Sequence, residues 1–274
     1  MALVGCGGSA EHWTRVGDRH LRSNDLVEAE LAYNRALDRD PTHAPAIYGK
    51  GWALYTSGYD TLVDPARQLF QRAIDYEPDY FGGYRGRGVL LLEEGKVLPA
   101  ERMLREAYDR APDEPTVLES LGQLYLLAGR LDEAELMFQG AVDLAPNRGE
   151  LRYFLADVAR RRGDFDAALE QIELGRSGNV SGNPGLLLLE EGEVMIQSDI
   201  TEWRIEAASG PSDPALQDAL QALNRADTVL LEASRRGLPA EARSLRRERL
   251  DSLERRLQAA LEPTAPNNGG LEHR

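Results

Sequence analysis

A pattern of small and large apolar residues that returns about every 34 positions restricts the fold of this chain more than any other feature. In the copy that spans residues 115–148, Leu118, Leu121, Gly122 and Tyr125 share one face of a helix, at spacings of three and four residues. A second helix follows with the landmarks Ala134, Phe138, Ala141 and Pro146. The spacing predicts two packed helices, with the glycine where they approach and the proline ending the unit.

The same landmarks occur in the copies before and after this one. The first copy has Trp13, Gly17, Ala29, Tyr33, Ala36 and Pro41; the second has Ile47, Gly51, Leu54, Ala66, Phe70, Ala73 and Pro78, with three extra residues between its helices; the third has Tyr84, Gly88, Leu91, Ala100, Leu104, Ala107 and Pro112; the fifth keeps Leu155, Ala156, Ala168 and Ile172. Five consecutive units in one register indicate a repeat architecture.

These positions resemble the tetratricopeptide repeat, a helix-turn-helix unit of 34 residues. The resemblance covers roughly residues 10–182 and implies an all-α, right-handed α-solenoid with a C-terminal capping helix. We expect a tether over residues 1–9, five repeats over 10–183, a degenerate sixth repeat over 184–236, a capping helix over 237–262 and a disordered tail over 263–274.

The last third of the chain departs from the regular pattern. A loop is predicted over 176–185, where Gly, Ser, Asn and Pro cluster, and an insertion is predicted over about 197–213. Trp203 lies in this insertion, and we expect it to tuck over the solenoid. In the capping helix, Leu245, Leu250, Leu253 and Leu257 form one apolar stripe that fits a cap or a dimer contact.

The N-terminal residues Leu3-Val4-Gly5-Cys6 resemble the lipobox of bacterial lipoproteins. The resemblance implies that the chain is cut before Cys6 and that this cysteine is acylated, with Gly7-Gly8-Ser9 as a flexible tether. Gly7 follows the cysteine in place of the aspartate typical of inner-membrane retention, which favours an outer-membrane anchor. Only Met1-Ala2 precede the motif, whereas a signal peptide needs a basic and an apolar region. An accidental match is therefore the alternative.

Charge and composition restrict the partners. The net charge of −14 argues against nucleic-acid binding, because an acidic surface repels phosphate. No apolar run is long enough to cross a bilayer. Between Arg235 and Arg256 there are eight arginines and four acidic residues. This basic stretch fits either a solvated capping helix or docking on anionic lipid headgroups or an acidic partner.

The sequence contains no signature of an enzyme, a metal site or a cofactor site. Its four histidines and single cysteine lack metal-ligand spacing, and neither a nucleophile turn nor a phosphate-binding loop is present. The glycine-rich run 82–88 contains the packing residue Gly88 and opens a helix without a preceding strand. We therefore expect no catalysis, no small-molecule substrate and no cofactor.

Binding is expected on the groove that the first helices of successive repeats line. The residues one past the packing glycine and one turn to either side point into it: Tyr48, Trp52, Tyr55, Arg85, Val89, Gln123, Tyr153 and Asp157. Aromatic and arginine side chains are favoured at binding hot spots. Packing of Trp52 and Tyr55 beneath the neighbouring repeat is the alternative. Repeats of this family that bind peptide C-termini use lysine, asparagine and arginine at set groove positions, whereas the matching positions of the first repeat are Thr14 and Asp18. We therefore expect an extended or helical partner segment.

The predicted function is a non-enzymatic scaffold for a protein or peptide partner. With an acylated Cys6 it would face the periplasm from a bacterial membrane and resemble the repeat lipoproteins that assemble pili, secretion machines or outer-membrane proteins. The alternatives are a soluble cytosolic adaptor or regulator, and a non-catalytic specificity subunit of an enzyme complex. Fold alone does not decide among them.

Overall fold

The computed structural model describes residues 8–178 and 184–262, and all regular secondary structure in these ranges is helical. The helices are α1 Ala10–Arg22, α2 Leu26–Arg39, α3 Ala44–Thr56, α4 Val63–Tyr76, α5 Phe81–Glu93, α6 Val97–Arg110, α7 Pro115–Leu127, α8 Leu131–Leu144, α9 Leu151–Arg161, α10 Phe165–Gly178, α11 Pro184–Ala207, α12 Pro214–Arg235 and α13 Ala240–Leu261. A short 3₁₀ helix, Asp60–Leu62, lies in the longer connection that the sequence predicts in the second repeat. The all-α solenoid fold is confirmed.

Two compact units make up the chain, Met1–Leu144 and Ala145–Arg274. In the N-terminal unit, helices pair as α1 with α2, α3 with α4, α5 with α6 and α7 with α8, and each first helix also contacts the next first helix. In the C-terminal unit, α9 pairs with α10 and α11 with α12, while α13 packs on α11 and α12. The first four repeats thus form one unit, and the fifth belongs to the other.

The repeated second-helix landmarks form the core of the N-terminal unit. Each such helix buries two alanines and one large residue completely, and the large residues are Tyr33, Phe70, Leu104 and Phe138. The packing glycine lies directly above the large side chain. A Cβ atom added at Gly122 would lie 2.5 Å from Cε1 of Phe138. Because that distance is far below van der Waals contact, only glycine fits at this crossing.

A left-handed residue ends the first helix of each of the five repeats. Asn24, Gly58, Gly95, Gly129 and Gly163 all have φ between 60° and 79°. Asparagine and glycine tolerate this backbone region better than other residues, so they permit the sharp turn into the second helix. These turn residues were not among the predicted landmarks, although their spacing follows the repeat.

The C-terminal unit corrects three expectations. Helix α10 continues to Gly178, so the predicted loop does not start at 176, and the residues from 179 to 183 lie outside the described ranges. The predicted insertion continues helix α11 as far as Ala207, and the irregular connection is limited to 208–213. Trp203 is 56% exposed and does not tuck over the repeats. The pair of α11 and α12 therefore has a long first helix in place of the expected inserted loop.

Helix α13 spans Ala240–Leu261, inside the range 237–262 expected for a capping helix. Leu250, Leu253 and Leu257 are buried, whereas Leu245 is 60% exposed and does not belong to the buried stripe. The stripe packs with apolar residues of α12 such as Leu223 and Leu230. In this structure the leucines therefore close the apolar core of their own unit. Cys6 and the predicted tail over 263–274 lie outside the described residues.

Candidate functional site

Three aromatic side chains lie on one face of α3 in the N-terminal unit. Tyr48, Trp52 and Tyr55 are spaced by four and three residues, which places them on the same side of the helix. Each is partly exposed, while Gly51 and Ala53 of the same helix are buried. We call these three side chains the aromatic surface.

The rings of the aromatic surface pack on one another and on the core. The centroid of the Trp52 ring lies 6.0 Å from Tyr48, 5.1 Å from Tyr55 and 6.0 Å from the buried Phe70 of α4. Trp52 therefore covers the core of its own repeat while part of its surface stays in contact with solvent. Among the described residues, none accepts a hydrogen bond from its indole N–H.

Arg85 of α5 joins three first helices beneath this surface. Its guanidinium carbon lies 4.4 Å from the centroid of the Trp52 ring, a cation–π contact. Its Nε donates to the carbonyl of Thr116 at 2.8 Å and to Oγ of Ser120 at 3.0 Å, and its Nη1 donates to the hydroxyl of Tyr48. The side chain is only 7% exposed. Arg85 thus organises the surface from below and is largely unavailable to a partner.

Two carboxylates, on the first helices that flank α3 on either side, receive hydrogen bonds from tyrosines. The hydroxyl of Tyr55 donates to the exposed Glu93 of α5. Burial, followed by this hydrogen bond, raises the pKa of Tyr55 well above its ordinary value. On α1, Asp18 accepts from the buried Tyr33 at 2.8 Å. Burial raises the pKa of Asp18, and the hydrogen bond from Tyr33 opposes that change.

Val89 and Gln123 complete the predicted set in the N-terminal unit. They lie on α5 and α7, and both are partly exposed. Helix α5 packs against both α3 and α7, so these residues extend the inner-helix face beside the aromatic surface. Glu93 was not among the predicted site residues, because its bond to Tyr55 joins residues 38 positions apart.

The two predicted residues of the C-terminal unit occupy different surroundings. Tyr153 lies over Gly192 of α11, where an added Cβ would come within 2.8 Å of its ring. Asp157 is 8% exposed, and its carboxylate accepts from Arg160 at 2.6 and 2.9 Å and from Arg161 at 3.0 Å. Asp157 was expected to face the groove, but its carboxylate is engaged by arginines of its own helix.

A chain of alternating charges continues from this aspartate across three helices of the C-terminal unit. Arg160 of α9 contacts Asp199 of α11 at 2.6 Å, and Asp199 also contacts Arg249 of α13 at 2.5 Å. Arg249 and Arg256 then contact Glu202 at 3.2 and 2.6 Å. Hydrogen bonding from Arg256 lowers the pKa of Glu202. We call this network the charge ribbon.

The basic stretch between Arg235 and Arg256 is largely neutralised by its own unit. Five of the eight arginines in that stretch contact carboxylates of α11 or α12: Arg236 contacts Glu190, Arg246 contacts Glu191, Arg247 contacts Asp227, and Arg249 and Arg256 contact the ribbon. The stretch therefore fits a capping helix that is held by ion pairs better than it fits a docking surface for acidic groups.

The described residues contain no group of three or more His, Cys, Asp or Glu side chains arranged to hold a metal ion. None of the helices in the described ranges is both long enough and apolar enough to span a membrane.

Family comparison agrees with this geometry. Models of the tetratricopeptide repeat match residues 11–58, 63–115, 95–149 and 128–178, which together are more than half of the chain. The chain is a tetratricopeptide repeat protein. The matches end at residue 178, so helices α11, α12 and α13 lie beyond them. Comparison with curated proteins gives no match.

Several solved structures share this protein's fold. The thermophilic tetratricopeptide repeat protein TTC0263 of Thermus thermophilus is 23% identical, with a TM-score of 0.58 over 67% of this chain and 98% of that one. PilF of Pseudomonas aeruginosa is 17% identical, with a TM-score of 0.55 over 87% and 96%. The Cut9–Hcn1 hetero-tetramer of the APC/C gives 20% identity and a TM-score of 0.61 over 93% of this chain and 43% of that one. At these identities the likeness concerns the fold alone.

Proposed function

We propose that this tetratricopeptide repeat protein is a non-catalytic scaffold that binds a segment of a partner protein on the inner-helix face of its N-terminal unit. The aromatic surface carries the proposal. Large aromatic rings that are partly exposed and fixed by their neighbours bind with little loss of conformational freedom. The free indole N–H of Trp52 offers a hydrogen bond to a backbone carbonyl of the partner. Val89 and Gln123 extend the contact onto the next two repeats.

The C-terminal unit has a different part in this proposal. Its predicted groove residues, Tyr153 and Asp157, pack on α11 or take part in the charge ribbon, so we place the binding site on the N-terminal unit. A protein partner also agrees with the similar Cut9–Hcn1 structure, which is a hetero-tetramer of two different proteins. In this proposal the C-terminal unit contributes no residue to the binding site.

Replacing Trp52 with alanine is expected to weaken capture of the partner by about tenfold or more. Burial of a large apolar side chain contributes roughly 1.5 to 3 kcal/mol, and about 1.4 kcal/mol corresponds to a factor of ten. The measurement is photo-crosslinking in cells from a benzoyl-phenylalanine at Gln123, with quantification of the crosslinked partner by mass spectrometry.

Trp203→Ala is the matched control, because it removes an exposed tryptophan from the other unit. Circular dichroism verifies that both variants remain helical. Equal crosslinking yields from the two variants would contradict a binding site at Trp52.

We further propose that the scaffold works at a bacterial membrane, to which an acylated Cys6 attaches it, as an assembly factor of the cell envelope. The support is the lipobox-like Leu3-Val4-Gly5-Cys6 together with the Gly and Ser residues after it. The expected mature chain starts at Cys6 and is heavier by its acyl groups. Mass spectrometry of the protein, purified from cells that carry the gene with its natural upstream region, measures this directly. An unmodified chain that retains Met1 would move the search for partners to the cytosol.

A further inference from the structure

We infer that the partner segment is basic: beside apolar residues that cover Trp52, it carries lysine or arginine side chains that pair with Glu93 and Asp18. This inference rests on the binding surface proposed above and specifies which segments that surface accepts. It follows from the charges that surround the aromatic surface and from the partners that those charges already have.

Glu93 is the first of these carboxylates. It is exposed and accepts a hydrogen bond from Tyr55, but within the described part of the chain no arginine or lysine forms an ion pair with it. Its neighbour Glu94 differs, because Arg67 and Lys96 each contact it at 2.7 Å. The carboxylate at the aromatic surface is therefore the one without a cation.

Asp18 is the second carboxylate at this surface. It lies on α1, which packs against α3, and its position relative to Gly17 matches the position of Trp52 relative to Gly51. It is partly buried and accepts from Tyr33. Arg22 of the same helix opposes, through its charge, the rise in the pKa of Asp18 that burial causes, but no cation within the described ranges forms an ion pair with Asp18. A cationic side chain from a partner would offset the cost of burying this charge.

The guanidinium of Arg85, which lies against the Trp52 ring, already has its partners within the protein. Arg85 is buried against Trp52 and donates to Tyr48, Thr116 and Ser120. The groups that remain accessible are aromatic faces and carboxylates, together with the exposed Arg22, which lies one turn after Asp18 on α1. Such a surface attracts cationic side chains through ion pairs and through the ring quadrupoles, and it repels acidic segments.

The probes are fluorescein-labelled peptides of alternating leucine and arginine, leucine and glutamate, and leucine and serine, with binding to the full chain followed by anisotropy. The leucine–arginine peptide is expected to bind most tightly. The double variant Asp18→Asn with Glu93→Gln keeps an acceptor for Tyr33 and Tyr55 but removes both charges. It is expected to lower the affinity for this peptide about tenfold, because two partly exposed ion pairs are lost.

The matched control is Asp38→Asn with Asp109→Asn. It removes the same net charge from exposed positions on the second helices α2 and α6, so it corrects for general attraction of a basic peptide to an acidic protein. It is expected to leave the affinity almost unchanged. An equal loss in both double variants, or tighter binding of the leucine–glutamate peptide, would overturn the inference.

Trp52→Ala separates the two proposals. One outcome is that Trp52→Ala weakens binding of the leucine–arginine peptide while Asp18→Asn with Glu93→Gln does not. In that case the aromatic surface binds segments without a preference for basic ones, so the basic-segment inference is wrong and the proposed binding surface stands. If Trp52→Ala changes nothing, the proposed binding surface itself is wrong. If both variants weaken binding and the matched control does not, the basic segment and the surface are both supported.

Discussion

Phe138→Ala is expected to lower the free energy of unfolding of the N-terminal unit by about 3 to 5 kcal/mol. The Phe138 side chain is fully buried, and its ring lies directly beneath Gly122. Truncation removes the ring's apolar contacts and leaves a cavity at a crossing whose other side is glycine. No side chain at position 122 of α7 can fill the gap. Urea unfolding followed by circular dichroism measures the change.

Leu136→Ala on the same helix is the control for this prediction. Leu136 is exposed, so its truncation is expected to change the free energy of unfolding by no more than about 0.5 kcal/mol. Both substitutions replace a large apolar residue of α8 with a good helix former. Similar losses from the two variants would mean that helix propensity, and not packing against Gly122, dominates the effect.

Arg160→Ala is expected to destabilise the C-terminal unit by about 3 kcal/mol. Removing one partner of a fully buried ion pair costs roughly 3 to 5 kcal/mol, because the remaining charge stays buried. The side chains of Arg160 and Asp199 are 17% and 18% exposed, so this pair is only partly buried. Arg160 contacts Asp157 and Asp199, which retain Arg161 and Arg249, so the loss falls at the low end of that range. Thermal and urea unfolding of the full chain report the change.

Arg235→Ala provides the comparison, since Arg235 is exposed and forms no ion pair within the described ranges. Its replacement is expected to have almost no effect. A loss no larger than that of Arg235→Ala would show that the charge ribbon does not hold α9 and α11 together.

The repeat landmarks predicted the core of the N-terminal unit residue by residue. Ala134, Phe138 and Ala141, and their equivalents in the three earlier repeats, are fully buried as expected. They were predictable because each helix pair must bury one face against the next pair, which forces the same sizes at the same positions. The predicted family and the all-α fold are confirmed for the same reason.

The candidate site was predictable only in part. The spacing of Tyr48, Trp52 and Tyr55 showed that they share a face, but it did not show that Arg85 lies against the Trp52 ring. The bond from Tyr55 to Glu93 and the ribbon from Asp157 to Arg256 join residues that are far apart in sequence. Side chains such as Arg and Glu reach across several helices, and their partners depend on rotamers that periodicity does not specify.

The sequence by itself determined the helices, their pairing and the identity of the core residues, because local periodicity and residue size govern these features. Only the tertiary structure decided which charges are already matched. It showed that the arginines of α13 are largely held by α11 and α12, that the carboxylate of Asp157 is occupied, and that Asp18 and Glu93 form no ion pair in the described part of the chain. The physical reason is that an ion pair depends on distance in space and on burial, and a repeat pattern fixes neither for long, flexible side chains.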